Sequence, residues 1–255
     1  MGQFYDHRFP IPPYYNFRFS NGPVWIEHIP GELFDYAYGG AVLNNSASNG
    51  GPPSVMAQVN DYLIGQRFDV RSIADETQYV FWGGSNDILD TAQDTPQYLQ
   101  NLVFDIPFLT AWQIRKLLDA GAKNILVMLL PSWSFAPLVT ATASAAQLQQ
   151  FHQLAQIING YVQANVTALG QGVNMKVFDV LGLQNKIIQD PHTYGFVNVT
   201  APCLSNWPLF INGTGGETPK ICSNPDEFLF WDGEHPTKRA HALLAEQVME
   251  LLDWK

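Results

Sequence analysis

Residues 124–130, Asn-Ile-Leu-Val-Met-Leu-Leu, most narrow what this chain can fold into. The run is apolar through its core rather than alternating, and Pro131 closes it. A strand of that kind belongs in a sheet covered on both faces, as in parallel sheets flanked by helices. Helical patterns lie on either side. Pro96 to Ala120 carries a long one, expected to break or kink at Pro107 and to end with Gly121 as C-cap. Residues 143–168 repeat apolar side chains at helical spacing through Leu148, Phe151, Leu154, Ile157, Ile158 and Val162.

The same alternation runs along the whole chain. Thr77 to Trp82 and Lys176 to Val180 read as strands, and so does Phe34 to Tyr38, ending at Gly39-Gly40. The apolar run Phe228 to Trp231 leads into a turn. Ser54 is placed to N-cap a helix with Val55, Val59, Tyr62 and Leu63 on one face. Leu181 to Asp190 predicts a short helix, and Pro236-Thr237 open the last one, through Ala240, Leu243, Leu244, Val248 and Leu251. Pro10, Pro12 and Pro13 exclude a helix from the extended residues 1–23. Pro23 opens a short helix through Trp25, Ile26 and Ile29, and Pro191 to Asp226 reads as a long loop. Strands alternating with helices predict an α/β fold: a parallel sheet with helices on both faces. No repeat or linker divides the chain.

Composition removes several function classes. With 46% hydrophobic residues the chain buries a sizeable core, which excludes a disordered protein. A net charge of −10 argues against nucleic acid as a partner, because its binders cluster Lys and Arg against phosphates. No segment approaches the roughly 18 consecutive apolar residues of a membrane span. Met1 to Pro13 is aromatic and proline-rich rather than basic then apolar, unlike a signal peptide. Asn-x-Ser/Thr sequons at Asn44, Asn165, Asn198 and Asn212 point to the secretory route, although such sequons also arise by chance in Asn- and Thr-rich loops. The histidines His7, His28, His152, His192 and His241 are scattered, so no metal site and no cofactor is expected.

Chemistry concentrates in a few places. Phe230-Trp231-Asp232-Gly233-Glu234-His235-Pro236-Thr237 sets an acid three positions before an imidazole, at the end of a strand. His235 is the candidate base, since an imidazole titrates near neutral pH. Asp232 is the candidate group to orient it across one turn; read locally, both also fit an ordinary surface pair beside a helix start. Asn86, after Gly83-Gly84-Ser85, offers an amide, and Gly39-Gly40 offer backbone N–H groups without a Cβ in the way. Read singly, these are also a cap and a strand-end turn. Tyr14, Tyr15, Phe17, Phe19 and Trp25 form an aromatic group suited to a sugar cleft or, more simply, to core packing.

Taken in order, several blocks resemble the GDSL/SGNH family of serine hydrolases. They are Arg18-Phe19-Ser20-Asn21-Gly22-Pro23-Val24-Trp25, Tyr36-Ala37-Tyr38-Gly39-Gly40-Ala41, Gly84-Ser85-Asn86-Asp87 and Asp232 to His235, with the cysteine pair ahead of Phe230. Among that family they look most like the fungal acetylesterases of carbohydrate esterase family 16. The resemblance runs from about Gly2 to the C-terminus. It implies a three-layer α/β sandwich with a central parallel sheet, of SGNH or flavodoxin-like kind, with residues 1–255 as a single SGNH/GDSL hydrolase domain. It implies a secreted ester hydrolase that removes acetyl groups from a small-molecule or oligosaccharide ester through an acyl-enzyme. In that scheme His235 is the base and Asp232 its orienter, while Asn86 and the Gly40 N–H hold the oxyanion. A broader GDSL lipase/acylhydrolase, or a catalytically dead glycan-binding relative, are the alternatives. The family's Gly-Asp-Ser nucleophile motif is absent from these residues. The expectation is therefore of a chain that begins just after it, without the first strand. Ser20, Ser46, Ser54 and Ser85 lie near matched blocks, but none sits on a sharp strand-to-helix turn. Asp35 stands where many relatives have Asn. Cys203 and Cys222 read, in an exported protein, as a structural bridge worth about 3 kcal/mol.

Overall fold

Strands β1 (Gln78–Phe81), β2 (Asn124–Met128) and β3 (Asn174–Phe178) lie side by side in a parallel sheet of order β1-β2-β3. The computed structural model describes residues 10–44, 51–68, 76–89, 96–205 and 219–254. Leu126 of β2 stands opposite Val80 on one side and Lys176 on the other. Successive side chains of a strand point to opposite faces, and β2 follows that rule. Ile125, Val127 and Leu129 pack with Ile106 and Ile114 of α3 (Pro96–Asp119) and with Ile158 and Val162 of α5 (Ala145–Leu169). Leu126 and Met128 pack the other way, with Leu183 and Ile187 of α6 (Val180–Gln189) and Leu243, Leu244 and Val248 of α7 (Lys238–Leu251). The continuous apolar run is thus explained: both faces are covered. Burying each such side chain contributes about 1.5–3 kcal/mol.

Local signals set most boundaries. Ser54 accepts a hydrogen bond from the Ala57 N–H and caps α1 (Val55–Phe68). Gly84 leads into α2 (Ser85–Leu89), a single turn at the carboxyl end of β1. After β2, a 3₁₀ turn (Trp133–Phe135) and α4 (Pro137–Thr140) lead into α5, which opens on a capping box of Ser144 and Gln147.

Several expectations are corrected. Phe34 to Tyr38 is not a strand; only Tyr38 sits in a bridge. Asp35 is the reason, since its Oδ1 accepts from the Ala37 N–H and curls the segment into an Asx turn. α3 is not broken at Pro107, which lies buried within the helix. Ile157, assigned to the core face of α5, is 49% exposed. Asn159 turns inward instead. It bonds both the N–H and the C=O of Leu130, each at 2.8 Å, and so substitutes for a strand partner just beyond β2. Part of the Pro191–Asp226 loop is strand β4 (Asn198–Pro202), paired in parallel with β5 (Phe228–Phe230). The ladder continues past the strand ends, as Cys203 N–H donates to Phe230 C=O and Leu204 N–H to Trp231 C=O. Cys203 and Cys222 form a disulfide. No helix among the described residues is long and apolar enough to cross a membrane.

Candidate active site

β5 ends in a tight turn that delivers Asp232 and His235 together. Trp231 N–H donates to His235 C=O, and Phe230 bridges Pro236 in antiparallel fashion. Thr237 then donates its hydroxyl to Phe228 C=O and accepts from the Ala240 N–H, ending the turn as the N-cap of α7. Asp232 sits inside this turn with no solvent exposure. Its Oδ1 accepts from the backbone N–H groups of Glu234 at 2.8 Å and His235 at 2.7 Å. The His235 Nδ1 lies 2.8 Å from Oδ2 and 3.0 Å from Oδ1. The carboxylate therefore holds the ring through one nitrogen and leaves Nε2 turned away, with the side chain 19% exposed.

Charge follows geometry. Burial alone would push the Asp232 pKa up, but the neighbouring His235 charge and the hydrogen bonds from His235 and the turn N–H groups outweigh it and hold it below the usual carboxylate range. Burial alone would lower His235; the Asp232 carboxylate beside it, with Glu234, lifts it above the ordinary imidazole value instead. Glu234 is itself raised, chiefly by burial.

The N-terminal loop closes over this turn. Tyr14 is buried and donates its hydroxyl to Asp232 Oδ2 at 2.8 Å. The Phe19 ring stacks on the His235 imidazole, with centroids 4.6 Å apart and planes at 19°. Asn21 Oδ1 accepts from the Lys238 N–H at 2.7 Å, and a Cβ at Gly22 would come within 2.6 Å of Lys238 Cβ. Glycine lets the loop lie against the start of α7. Arg18 grips Glu27 through Nε and a terminal amino group, fixing the loop to the 3₁₀ turn Trp25–His28.

The other two sequence-predicted residues lie together on a second pair of segments. Asn86 donates through Nδ2 to Ala41 C=O at 2.9 Å, and both carboxylate oxygens of Asp87 accept from the Leu43 N–H. α2 is thereby stitched to residues 41–43, which sets Gly40 one residue from the Asn86 contact. The amide keeps a second N–H beyond that bond. Gly40 has φ +78, a left-handed conformation that L side chains rarely adopt, and it is exposed. A connector spans the two pairs: Trp133 Nε1 donates to Ser85 C=O, and Leu138 N–H donates to Gly233 C=O. Among the described residues no hydrogen bond joins the pairs directly.

The serines and aromatics separate clearly. Ser20 is fully buried with an unbonded hydroxyl, so it neither meets solvent nor bonds His235. Ser54 caps α1, and Ser46 lies outside the described residues. Of the N-terminal aromatics Tyr14, Phe19 and Trp25 are buried, while Tyr15 and Phe17 are exposed. Tyr14 and Phe19 touch the Asp–His pair, a link invisible in local spacing because Tyr14 and Asp232 are 218 positions apart.

Residues 5–248 match the GDSL-like lipase/acylhydrolase family. The chain belongs to that family. It is 28% identical over 255 aligned residues to the thermolabile hemolysin of Vibrio parahaemolyticus, covering 95% of this chain and 58% of that protein. It is 24% identical to the phosphatidylcholine-sterol acyltransferase of Aeromonas hydrophila, over 95% of this chain and 82% of the relative. It is 28% identical to GDSL esterase/lipase 6 of Arabidopsis thaliana, over 84% of this chain and 62% of the relative. The chain thus spans under two thirds of the hemolysin and of the plant esterase. The α/β fold described above fits that family, whose members include proteins named esterases and lipases.

Proposed function

We propose that this chain carries the base and oxyanion side of a carboxylic-ester hydrolase that works through an acyl-enzyme. The observation that carries the reading is the buried Asp232 carboxylate holding His235 by Nδ1, which leaves Nε2 as the base. His235 Nε2 takes the proton of a serine hydroxyl as that oxygen attacks the ester carbonyl. It then returns the proton to the leaving alcohol. Water repeats the sequence on the acyl-enzyme and releases the acid. The second N–H of Asn86 and the backbone N–H of Gly40 stabilise the oxyanion, where one such donor is worth about 10²–10³ in turnover. Among the described residues no serine bonds His235.

On substrate, the sequence resemblance to carbohydrate esterase family 16 supports acetyl esters of carbohydrates. A second reading rests on two relatives, a hemolysin and a phosphatidylcholine-sterol acyltransferase, whose names favour longer acyl groups carried by lipids. Secretion is supported by the disulfide and by exposed sequon residues Asn44 and Asn165.

The test supplies the hydroxyl. A strand ending in Gly-Asp-Ser is fused ahead of Met1, and the product is assayed on nitrophenyl esters of increasing acyl length. Hydrolysis that disappears with His235→Ala is the expected result. A maximum at acetate supports the carbohydrate acetylesterase, and a maximum at long chains supports the lipid reading. A folded fusion inert toward every chain length would end the hydrolase proposal.

A further inference from the structure

The Asp232 carboxylate has four donors, and one of them comes from far outside its turn. Two are the backbone N–H groups of Glu234 and His235, and the third is the His235 ring. The fourth is the Tyr14 hydroxyl, 2.8 Å from the same Oδ2 that holds Nδ1. The Tyr14 ring is wedged edge-on against Trp231, at 6.4 Å and 84°, and against Phe19, at 5.9 Å and 74°. Phe19 in turn covers one face of the imidazole. A single buried side chain therefore touches the acid through its oxygen and the base through a neighbouring ring.

We propose that Tyr14 is a positioning residue for the Asp232–His235 pair, fixing the carboxylate by its hydroxyl and the imidazole through Phe19. The inference rests on the hydrolase reading above. The turn N–H groups bind only Oδ1, so without Tyr14 the oxygen that faces Nδ1 is held by the ring alone. A carboxylate fixed at both oxygens cannot rotate, and the ring it orients keeps one tautomer. The phenol also tunes charge. Each donor to Asp232 takes up part of the negative charge that His235 would otherwise feel, so Tyr14 restrains how far the imidazole is raised. Burial and the adjacent Asp232 keep the phenol protonated far into alkaline pH, so the donor is present throughout the working range. The other titratable groups that face His235 among the described residues are Glu234 in the turn and His241 on α7.

The test reads the imidazole itself by NMR titration of the 255-residue chain, without calling on activity. Tyr14→Phe keeps the ring packing and removes one donor, so the His235 titration moves to higher pH. Replacing Tyr14 by 3-fluorotyrosine keeps the fold and sharpens the donor, so the titration moves to lower pH. In the Gly-Asp-Ser fusion protein, Tyr14→Phe lowers kcat about tenfold and leaves KM unchanged, as loss of one hydrogen bond to a charged group on the chemical step requires. A His235 titration unmoved by 3-fluorotyrosine overturns the proposal, whether or not Tyr14→Phe folds. Opposite shifts in a protein that cleaves no ester leave the positioning intact and remove only the hydrolase reading.

Discussion

At the scale of single residues, Asp232 is held on every side. It is unexposed, it accepts four hydrogen bonds, and its oxygens do different work: Oδ1 shapes the turn while Oδ2 meets the ring and the phenol. Asp232→Asn keeps the shape but replaces one acceptor with an NH₂ group that faces donors. Turnover in the Gly-Asp-Ser fusion protein should fall on the order of 10³–10⁴-fold with little change in KM, because the ring loses its tautomer control. Burial would then lower the His235 pKa against Glu234 alone. The acid limb of the pH–rate profile should therefore move down, opposite to the effect of Tyr14→Phe. An Asp232→Asn profile that keeps both its height and its acid limb would show that the carboxylate does not serve the imidazole. Asp232 and His235 were legible in sequence because they lie three positions apart and one turn joins them. Tyr14 was not, because its partnership is made only by the fold.

At the scale of elements, the site depends on how β5 is braced. β5 has only three residues, and its partner β4 continues into Cys203, whose N–H pairs with Phe230. The disulfide to Cys222 closes the small cluster of Tyr14, Phe19, Leu204 and Trp231 beneath the Asp–His turn. Cys203→Ser with Cys222→Ser should cost about 3 kcal/mol by the loop-closure argument and lower Tm accordingly. It should also loosen the Tyr14 contact, seen as a shifted His235 titration in the same sample. An unchanged melt would mean that the bridge constrains nothing the core does not already hold. β4 escaped the sequence reading because Gly195 and Pro202 bound a short run in a segment rich in turn residues. Its pairing is long-range, and β propensity is a preference for a pleated surface that only the partner strand provides. Asn159 escaped for a related reason: a helix-period count predicts apolar residues inward and has no place for an amide that replaces a strand.

For the whole molecule, pH sets opposing demands. His241 is buried on α7 with neither ring nitrogen bonded, and burial first, then the charges of His235 and His28, hold its pKa well below the ordinary value. The unfolded chain protonates this ring near pH 6.5, the folded chain only at lower pH. Stability present above that value is therefore lost as pH falls toward the depressed folded pKa. His235 is raised, so its contribution is present at low pH and lost as pH rises through its folded pKa. His241→Leu should flatten the fall in Tm between pH 6.5 and 5 and leave Tm at pH 8 the same or higher, read from thermal melts across pH. Parallel curves for variant and parent would exclude His241 as the source. The sequence by itself determined the layering: β2 is apolar on both faces, helical periods flank it, and the ordered blocks carry the family, because period and local spacing are properties of neighbouring residues. Only the tertiary structure decided that Asp35 curls a would-be strand, that Asn86 stitches α2 to Ala41, and that Tyr14 reaches Asp232. The Asp35 turn is a local bond competing with strand pairing, while the other two contacts join positions 45 and 218 apart, and no local pattern encodes which distant partner such a group will find.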